Sequence, residues 1–177
     1  MARSSSYRNH KPIDGEGLER LAIGYVGRFA TTRAKLAAYL RRKLVEREWQ
    51  GDGPPPVEAI VARFTAAGYI DDTSFAQARA ASYQRRGYGE RRLAERLRAD
   101  GIQDEDAAVA REAAVANAME AALAFARKRR IGPFASEVSD QDGRRRALAA
   151  MLRAGHPMDL ARRIVLSAPG DVPDGIT

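Results

Sequence analysis

Residues 68–97 read GYIDDTSFAQARAASYQRRGYGERRLAERL, and this stretch decides the fold. It contains two Gly-Tyr pairs, at Gly68 and Gly87, each of which separates two amphipathic segments. Glycine readily adopts the left-handed backbone that ends many helices. Each pair therefore predicts the end of one helix and the approach to the next. We expect the rings of Tyr69 and Tyr88 to pack beneath these turns.

The segments on either side of this stretch have the same helical character. Leu36, Leu40 and Leu44 lie one turn apart on one face of a predicted helix, and another helix is expected over roughly residues 105–129. The sequence contains no sustained run of alternating polar and apolar residues and no hairpin dipeptide between β-branched segments. The fold class predicted from these patterns is all-α.

An internal repeat organises the helices. The segments LAAYLRRKL, RRLAERLRADG and RRALAAMLRAG combine leucine or methionine at four-residue spacing with arginines outside. Each segment lies between two other predicted helices, which indicates three tandem three-helix modules. Modules of this size are marginally stable alone, so we expect them to stack in an elongated, solenoid-like arrangement. The predicted boundaries are a disordered N-terminal arm at 1–16, modules at 17–70, 71–113 and 114–168, and a loose C-terminal tail at 169–177.

The composition restricts the class of partner. The 177 residues include 30 Lys and Arg against 23 Asp and Glu, a net charge of +7. This balance favours nucleic acid, an acidic protein face or an anionic membrane surface. The chain has no cysteine, which excludes a disulfide framework and a thiolate zinc site. No apolar signal core or membrane-spanning run is visible, so we expect a cytoplasmic protein without a membrane partner.

Clusters of basic residues are the candidate partner-binding residues. Arg92 and Arg96 lie one turn apart with no acid expected on their face, and they should therefore repel each other. Any single cluster is simply explained as a solvated face, and a cluster at 127–130 is also favoured by the helix dipole. Several such clusters together indicate an anionic partner. The candidates are Arg85, Arg86, Arg91, Arg92, Arg96, Arg127, Lys128, Arg129, Arg130, Arg144 and Arg145.

The sequence lacks a constellation typical of enzymes. There is no G-x-x-x-x-G-K-[ST], G-x-S-x-G or H-E-x-x-H motif. The adjacent Asp71 and Asp72 point in different directions on a helix, and one of them is expected to cap it. His10 and His156 are far apart in sequence with no cysteine nearby, so neither is interpreted as a metal ligand. We therefore predict no catalytic residues, no metal and no cofactor.

The stretch from Gly68 to Ile102 resembles the central signature of the RecX family, which comprises bacterial regulators of the RecA recombinase. That family carries Gly-Tyr-Leu/Ile-Asp-Asp-x-x-Phe-Ala, then Lys/Arg-Gly-Tyr/Pro-Gly-x-x-Arg/Lys-Ile/Leu and a closing Gly-Ile/Leu. Here these elements fall on residues 68–76, 86–93 and 101–102. The segment TTRAKLAAYLRRKL also looks like the family's Ser-Arg-x-Glu-Leu-x-x-x-Leu element. The resemblance extends from about Leu18 to Leu166.

The resemblance implies a function as well as a fold. It implies three tandem three-helix modules in a curved body with a basic face, docked in the groove of a RecA filament on single-stranded DNA. The expected effect is inhibition of ATP hydrolysis and strand exchange in recombination, DNA repair and the SOS response. Expected partners are the filament and single- or double-stranded DNA through its phosphates, with the regulator a monomer. The alternative is a helix-turn-helix protein that binds DNA directly through an arginine-rich second helix.

Overall fold

The computed structural model describes residues 11–173 and shows an all-α chain, which confirms the predicted fold class. Within this range there is no strand, and an isolated bridge pairs Ile13 with Trp49. No helix of the described range has the length and apolar character needed to cross a membrane. The helices are α1 (Gly15–Val26), α2 (Arg33–Glu46), α3 (Val57–Ala66), α4 (Asp72–Arg86), α5 (Glu90–Ala99), α6 (Asp104–Ala116), α7 (Ala118–Arg129), a 3-10 turn (Gly132–Phe134), α8 (Gln141–Arg153) and α9 (Met158–Leu166).

The chain divides into two compact units, with the boundary between Asp71 and Asp72. The first unit contains α1–α3 around one core of leucine, isoleucine, valine and phenylalanine. The second contains two core clusters. The cluster of α4–α6 is rich in alanine and centres on Leu93 and Leu97. The cluster of α7–α9 centres on Met151 and Ile164.

The start of the first unit differs from the predicted disordered arm at 1–16. Residues 1–10 of that arm lie outside the described residues, but Ile13 is buried in the core. Its N–H donates to the carbonyl oxygen of Glu48 at 2.8 Å, and its own carbonyl oxygen accepts from the N–H of Gln50 at 3.0 Å. Asp14 then caps α1 by accepting from the N–H of Gly17 at 2.8 Å. Apolar burial and backbone pairing thus bring the chain into the unit before α1.

The tail predicted as loose at 169–177 lies only partly within the described residues, since residues 174–177 are outside them. The N–H of Gly170 donates to the carbonyl oxygen of Pro133 at 2.9 Å. The N–H of Asp171 donates to the carbonyl oxygen of Ala168 at 3.0 Å. The first part of this segment is thus hydrogen-bonded to the rest of the second unit.

The single helix expected over 105–129 is wrong, because Asn117 separates α6 from α7. Asn117 has φ −97° and ψ 18°, outside the helical region. Its side-chain amide donates to the carbonyl oxygen of Ala113 at 2.7 Å, which its own backbone N–H also contacts at 3.1 Å. Asparagine side chains compete in this way with the regular helical ladder. The break allows α6 to pack on α4 while α7 packs on both α4 and α9.

The two Gly-Tyr turns confirm the predicted helix ends, and each tyrosine ring packs on an aromatic ring of the preceding helix. Gly68 and Gly87 have φ values of +75° and +78°, the left-handed region expected at a helix end. Tyr88 is partly buried, with its ring centroid 5.2 Å from that of Tyr83. Tyr69 makes the equivalent contact, with its ring centroid 5.5 Å from that of Phe64, although its side chain is 66% exposed. The apolar position after its turn is taken by Ile70, which is 3% exposed.

Candidate partner-binding surface

The C-terminal ends of α4 and α7 lie side by side in the second unit. The ammonium of Lys128 donates to the carbonyl oxygen of Arg85 at 2.9 Å. The turn after α4 comes so close to α7 that a Cβ added at Gly87 would lie 2.6 Å from the backbone nitrogen of Phe125. The two helix ends bring together six exposed predicted residues, here called the α4–α7 cation cluster: Arg85, Arg86, Arg127, Lys128, Arg129 and Arg130.

The α4–α7 cation cluster keeps its positive charge. Within residues 11–173 none of its six side chains forms an ion pair with an acid. Arg86 lies 5.0 Å from the ring centroid of Tyr88, and Arg127 lies 4.8 Å from that of Phe134. Cation–π contacts of this kind hold a guanidinium in place without neutralising it. The cluster is therefore available to an anionic partner.

Arg130 ends α7 in an unusual backbone conformation. Its φ of 55° and ψ of 49° place it in the left-handed region, where it is the only residue other than glycine among those described. Left-handed backbone costs a side-chain-bearing residue about 1–2 kcal/mol. The exposed Arg130 side chain compensates for none of this cost by an ion pair within the described residues. The helix dipole favours a cation at this end of α7, but it does not account for the left-handed backbone, which makes Arg130 a candidate for a role outside the fold.

The arginines of α5 are largely engaged within the protein. A guanidinium nitrogen of Arg91 donates to the carbonyl oxygen of Leu152, at the end of α8. Arg96 holds the carboxylate of Asp100 through two contacts of 3.1 Å, and Asp100 is 2% exposed. Arg92 lies 3.7 Å from Glu95. The prediction that no acid lies beside Arg92 and Arg96 is therefore wrong, because each has an acid three or four residues further along.

The remaining two candidates, Arg144 and Arg145, lie on the exposed face of α8. Arg145 contacts Asp142 at 3.5 Å. Both side chains of this pair are largely exposed, so it contributes little to stability. These two arginines belong to a different helix from the α4–α7 cation cluster and are treated as a separate surface.

Sequence reasoning missed the contact that joins the turn after α4 to the turn after α8. The N–H of Gly89 donates to the carbonyl oxygen of Ala154 at 2.9 Å, and a Cβ added at Gly89 would lie 2.3 Å from the carbonyl oxygen of Gly155. The buried His156 ring lies against Phe125, with centroids 5.7 Å apart. The available signal was Gly89 itself, because this N-cap position of α5 carries glycine and not a residue whose side chain could cap the helix.

Comparisons with known proteins agree with this architecture. The family model of the second three-helix domain of RecX matches residues 71–110. The regulatory protein RecX of Myxococcus xanthus is 34% identical over 163 residues, which cover 86% of this chain and 86% of that protein. The regulatory protein RecX of Streptomyces coelicolor is 35% identical over 141 residues, covering 77% and 69% respectively. The crystal structure of RecX from Lactobacillus salivarius shares the fold, with a TM-score of 0.66 and 15% identity over 85% of this chain and 93% of that one. The chain belongs to the RecX family of regulatory proteins.

Proposed function

We propose that this chain is a non-catalytic regulator that binds RecA filaments on single-stranded DNA and lowers their ATP hydrolysis and strand exchange. The observation that carries the proposal is the α4–α7 cation cluster, in which two neighbouring helix ends carry six exposed cations, none with an ion pair within residues 11–173. The similarity to regulatory proteins named RecX supports the choice of partner. The biological setting would be recombination, DNA repair and the SOS response.

The chemistry of such a filament fits the α4–α7 cation cluster. A nucleoprotein filament offers DNA phosphates and protein carboxylates, and arginine binds both through paired hydrogen bonds. In the cytoplasm, the regulator bound to the filament would slow the filament's ATP turnover or subunit exchange by steric and electrostatic means. The proposal includes three three-helix modules, at 17–70, 71–113 and 114–168, each of which would contact the filament. The regulator would act as a monomer and without a cofactor.

Direct DNA binding through a helix-turn-helix is less well supported. In that arrangement the second helix reads base edges with free polar side chains. The second helix of the α4–α6 group is α5, where Arg91 is bonded to Leu152 and Arg96 to Asp100. Base reading by these two arginines would therefore require their internal contacts to break. The α4–α7 cation cluster lies at the ends of α4 and α7 and not on this second helix.

The proposal is tested by single-stranded-DNA-dependent ATP hydrolysis of RecA from the same organism, with the regulator titrated in. We expect inhibition below one regulator per recombinase subunit and co-sedimentation with the filament. The double variant Arg85→Glu, Arg129→Glu should inhibit at least about tenfold less well, because it replaces attraction by repulsion. Arg98→Glu, which changes an exposed and unpaired arginine of α5, is the matched control and should inhibit normally.

Two results would contradict the proposal. Unchanged hydrolysis without co-sedimentation would remove the filament as the partner. Tight, sequence-selective and salt-sensitive binding to duplex DNA in a gel shift would instead favour the helix-turn-helix alternative. Weak DNA binding that does not depend on sequence is expected from the net charge alone.

A further inference from the structure

A groove between α8 and α9 is lined by arginines and apolar side chains that have no part in the α4–α7 cation cluster. Its volume is about 220 Å³. Arg144, Arg145 and Leu148 line it from α8, at spacings of three and four residues that place them on one helix face. The same spacing on α9 brings Arg162, Val165 and Leu166 to the opposite wall. The groove thus has two walls that each combine cations with an apolar surface.

The cations of this groove are free to bind a ligand. Neither Arg144 nor Arg162 has a side-chain hydrogen bond or ion pair within residues 11–173. Among the described residues, Arg145 pairs only with Asp142, and the two side chains are 71% and 69% exposed. Surface pairs of this kind are weak and exchange readily with other partners. No acidic residue is among those that line the groove.

The apolar walls narrow the class of ligand. Leu166 is 58% exposed and lines the groove together with Leu148 and Val165, which gives both walls an apolar surface. Single-stranded nucleic acid is usually held by aromatic side chains on which bases stack, and no aromatic residue lines this groove. An amphipathic helix with acidic residues beside its apolar stripe satisfies both features, since leucine-type residues would enter the groove while carboxylates meet the arginines.

We propose that the α8–α9 groove is a docking site for an acidic amphipathic helix of a partner protein. The inference deepens the proposed function, on which it rests for the source of the helix: the regulated filament would supply it. Arg144 and Arg145 lie on one wall of the groove and Arg162 lies on the other. Acidic residues on both flanks of the apolar stripe are therefore required.

The test is fluorescence polarisation with a labelled synthetic peptide of about 15 residues, long enough to form a helix on binding. Leucine recurs in it at i, i+3, i+4 and i+7, with glutamate on both flanks; a second peptide carries glutamine in place of glutamate. We expect saturable binding of the glutamate peptide that is at least about tenfold tighter than that of the glutamine peptide. The double variant Arg144→Glu, Arg162→Glu should lose at least about tenfold in affinity.

Arg146→Glu is the matched control, since Arg146 is an exposed and unpaired arginine of α8 outside the groove. It should bind the glutamate peptide as the wild-type chain does. Circular dichroism checks that the variants keep their helices. A second measurement needs no variant: in the wild-type chain, amide chemical shifts should change along α8 and α9 when the glutamate peptide is added, and shifts confined to other helices would overturn the assignment.

Three outcomes overturn the inference. They are no saturable peptide binding, peptide binding that survives the double charge reversal, and a double variant that loses affinity for a single-stranded oligonucleotide but not for the peptide. The last would make the groove a phosphate site. Inhibition of RecA without peptide binding would show that the groove is not the docking site but would still support the proposed function. Peptide binding without any effect on RecA would keep the groove and reject the proposed function.

Discussion

The imidazole Nε2 of His156 lies 3.1 Å from the carbonyl oxygen of Gly87, although the two residues are 69 positions apart in sequence. Because a carbonyl oxygen only accepts, the neutral ring carries its proton on Nε2 and donates it. Nδ1 is buried and has no hydrogen-bond partner. Burial lowers the pKa of His156, since a charged ring is poorly solvated there. The turn after α8 is thus held against the turn after α4 by a neutral histidine.

The first prediction is that acid weakens the second unit through His156. Its folded-state pKa lies below its ordinary value of 6.5, so the unfolded chain binds more protons between these two values. The contribution of His156 to the free energy of unfolding is therefore fully present above about pH 6.5. It is lost as the pH drops toward the folded-state pKa. Urea unfolding followed between about pH 7.5 and 5.5 measures this slope, in a range where most carboxylates remain ionised.

His156→Gln is the control for this slope. Its amide can donate to the carbonyl oxygen of Gly87 but does not titrate. We expect a loss of about 1 kcal/mol at neutral pH from imperfect hydrogen-bond geometry. We also expect a much flatter dependence on pH. A slope equal to that of the wild-type chain would show that other groups cause it.

The helices and their ends were predictable because their signals are local. Leucine spacing and the glycines at 68 and 87 depend only on near neighbours in the chain, and both identified the helices correctly. The break at Asn117 was missed because alanine on both sides supports a continuous helix. There the side chain of one residue competes with the backbone ladder.

The candidate surface was only partly predictable, because exposure and proximity depend on packing between distant segments. Nothing in the local sequence brings Arg85 beside Lys128, which are 43 positions apart. Asp100 was close enough in sequence to pair with Arg96, but its burial depends on how α5 packs. The basic clusters were therefore found by composition, while their division into engaged and free arginines required the structure.

The second prediction concerns Gly89, where two turns come into backbone contact. A Cβ at this position would lie 2.3 Å from the carbonyl oxygen of Gly155, so Gly89→Ala forces the turns apart. We expect a loss of about 1–3 kcal/mol, typical of overpacking. Thermal unfolding of the variant measures it, and unchanged stability would show that the turns separate without cost.

Gly24→Ala is the matched control for that substitution. Gly24 lies inside α1, and a Cβ there would meet no atom within 4 Å. Alanine favours a helix interior by about 0.5–1 kcal/mol over glycine. Replacing glycine by alanine should therefore stabilise the protein at Gly24 and destabilise it at Gly89.

The third prediction separates two arginines of α5 that the sequence treats alike. Arg96 holds the buried Asp100, whereas Arg92 and Glu95 are both more than half exposed. Arg96→Ala should cost about 1–3 kcal/mol, because it removes a charged hydrogen-bond partner from a buried carboxylate. Arg79, 3.6 Å from Asp100, limits the loss. Arg92→Ala should change stability by less than about 0.5 kcal/mol.

Chemical denaturation compares these two variants, and the filament assay checks their function. If Arg96 is a structural residue, Arg96→Ala lowers the denaturation midpoint while the folded fraction inhibits RecA normally. Equal stability of the two variants would mean that Arg79 and the other contacts of Asp100 satisfy its carboxylate without Arg96. If Arg96→Ala kept its stability but lost inhibition of RecA, Arg96 would be a partner-binding residue.

The fourth prediction is that Arg130 favours binding at the expense of stability. Arg130→Gly relieves the left-handed backbone at the end of α7 and should raise the free energy of unfolding by up to about 1 kcal/mol. It also removes one charge from the α4–α7 cation cluster, so inhibition of RecA should weaken and depend less on salt. Arg130→Lys keeps both the charge and the backbone cost, and should match the wild-type chain in thermal unfolding and in salt-dependent inhibition. If Arg130→Gly were both more stable and equally inhibitory, its charge would have no part in binding, and the partner would contact the cluster through the other five cations.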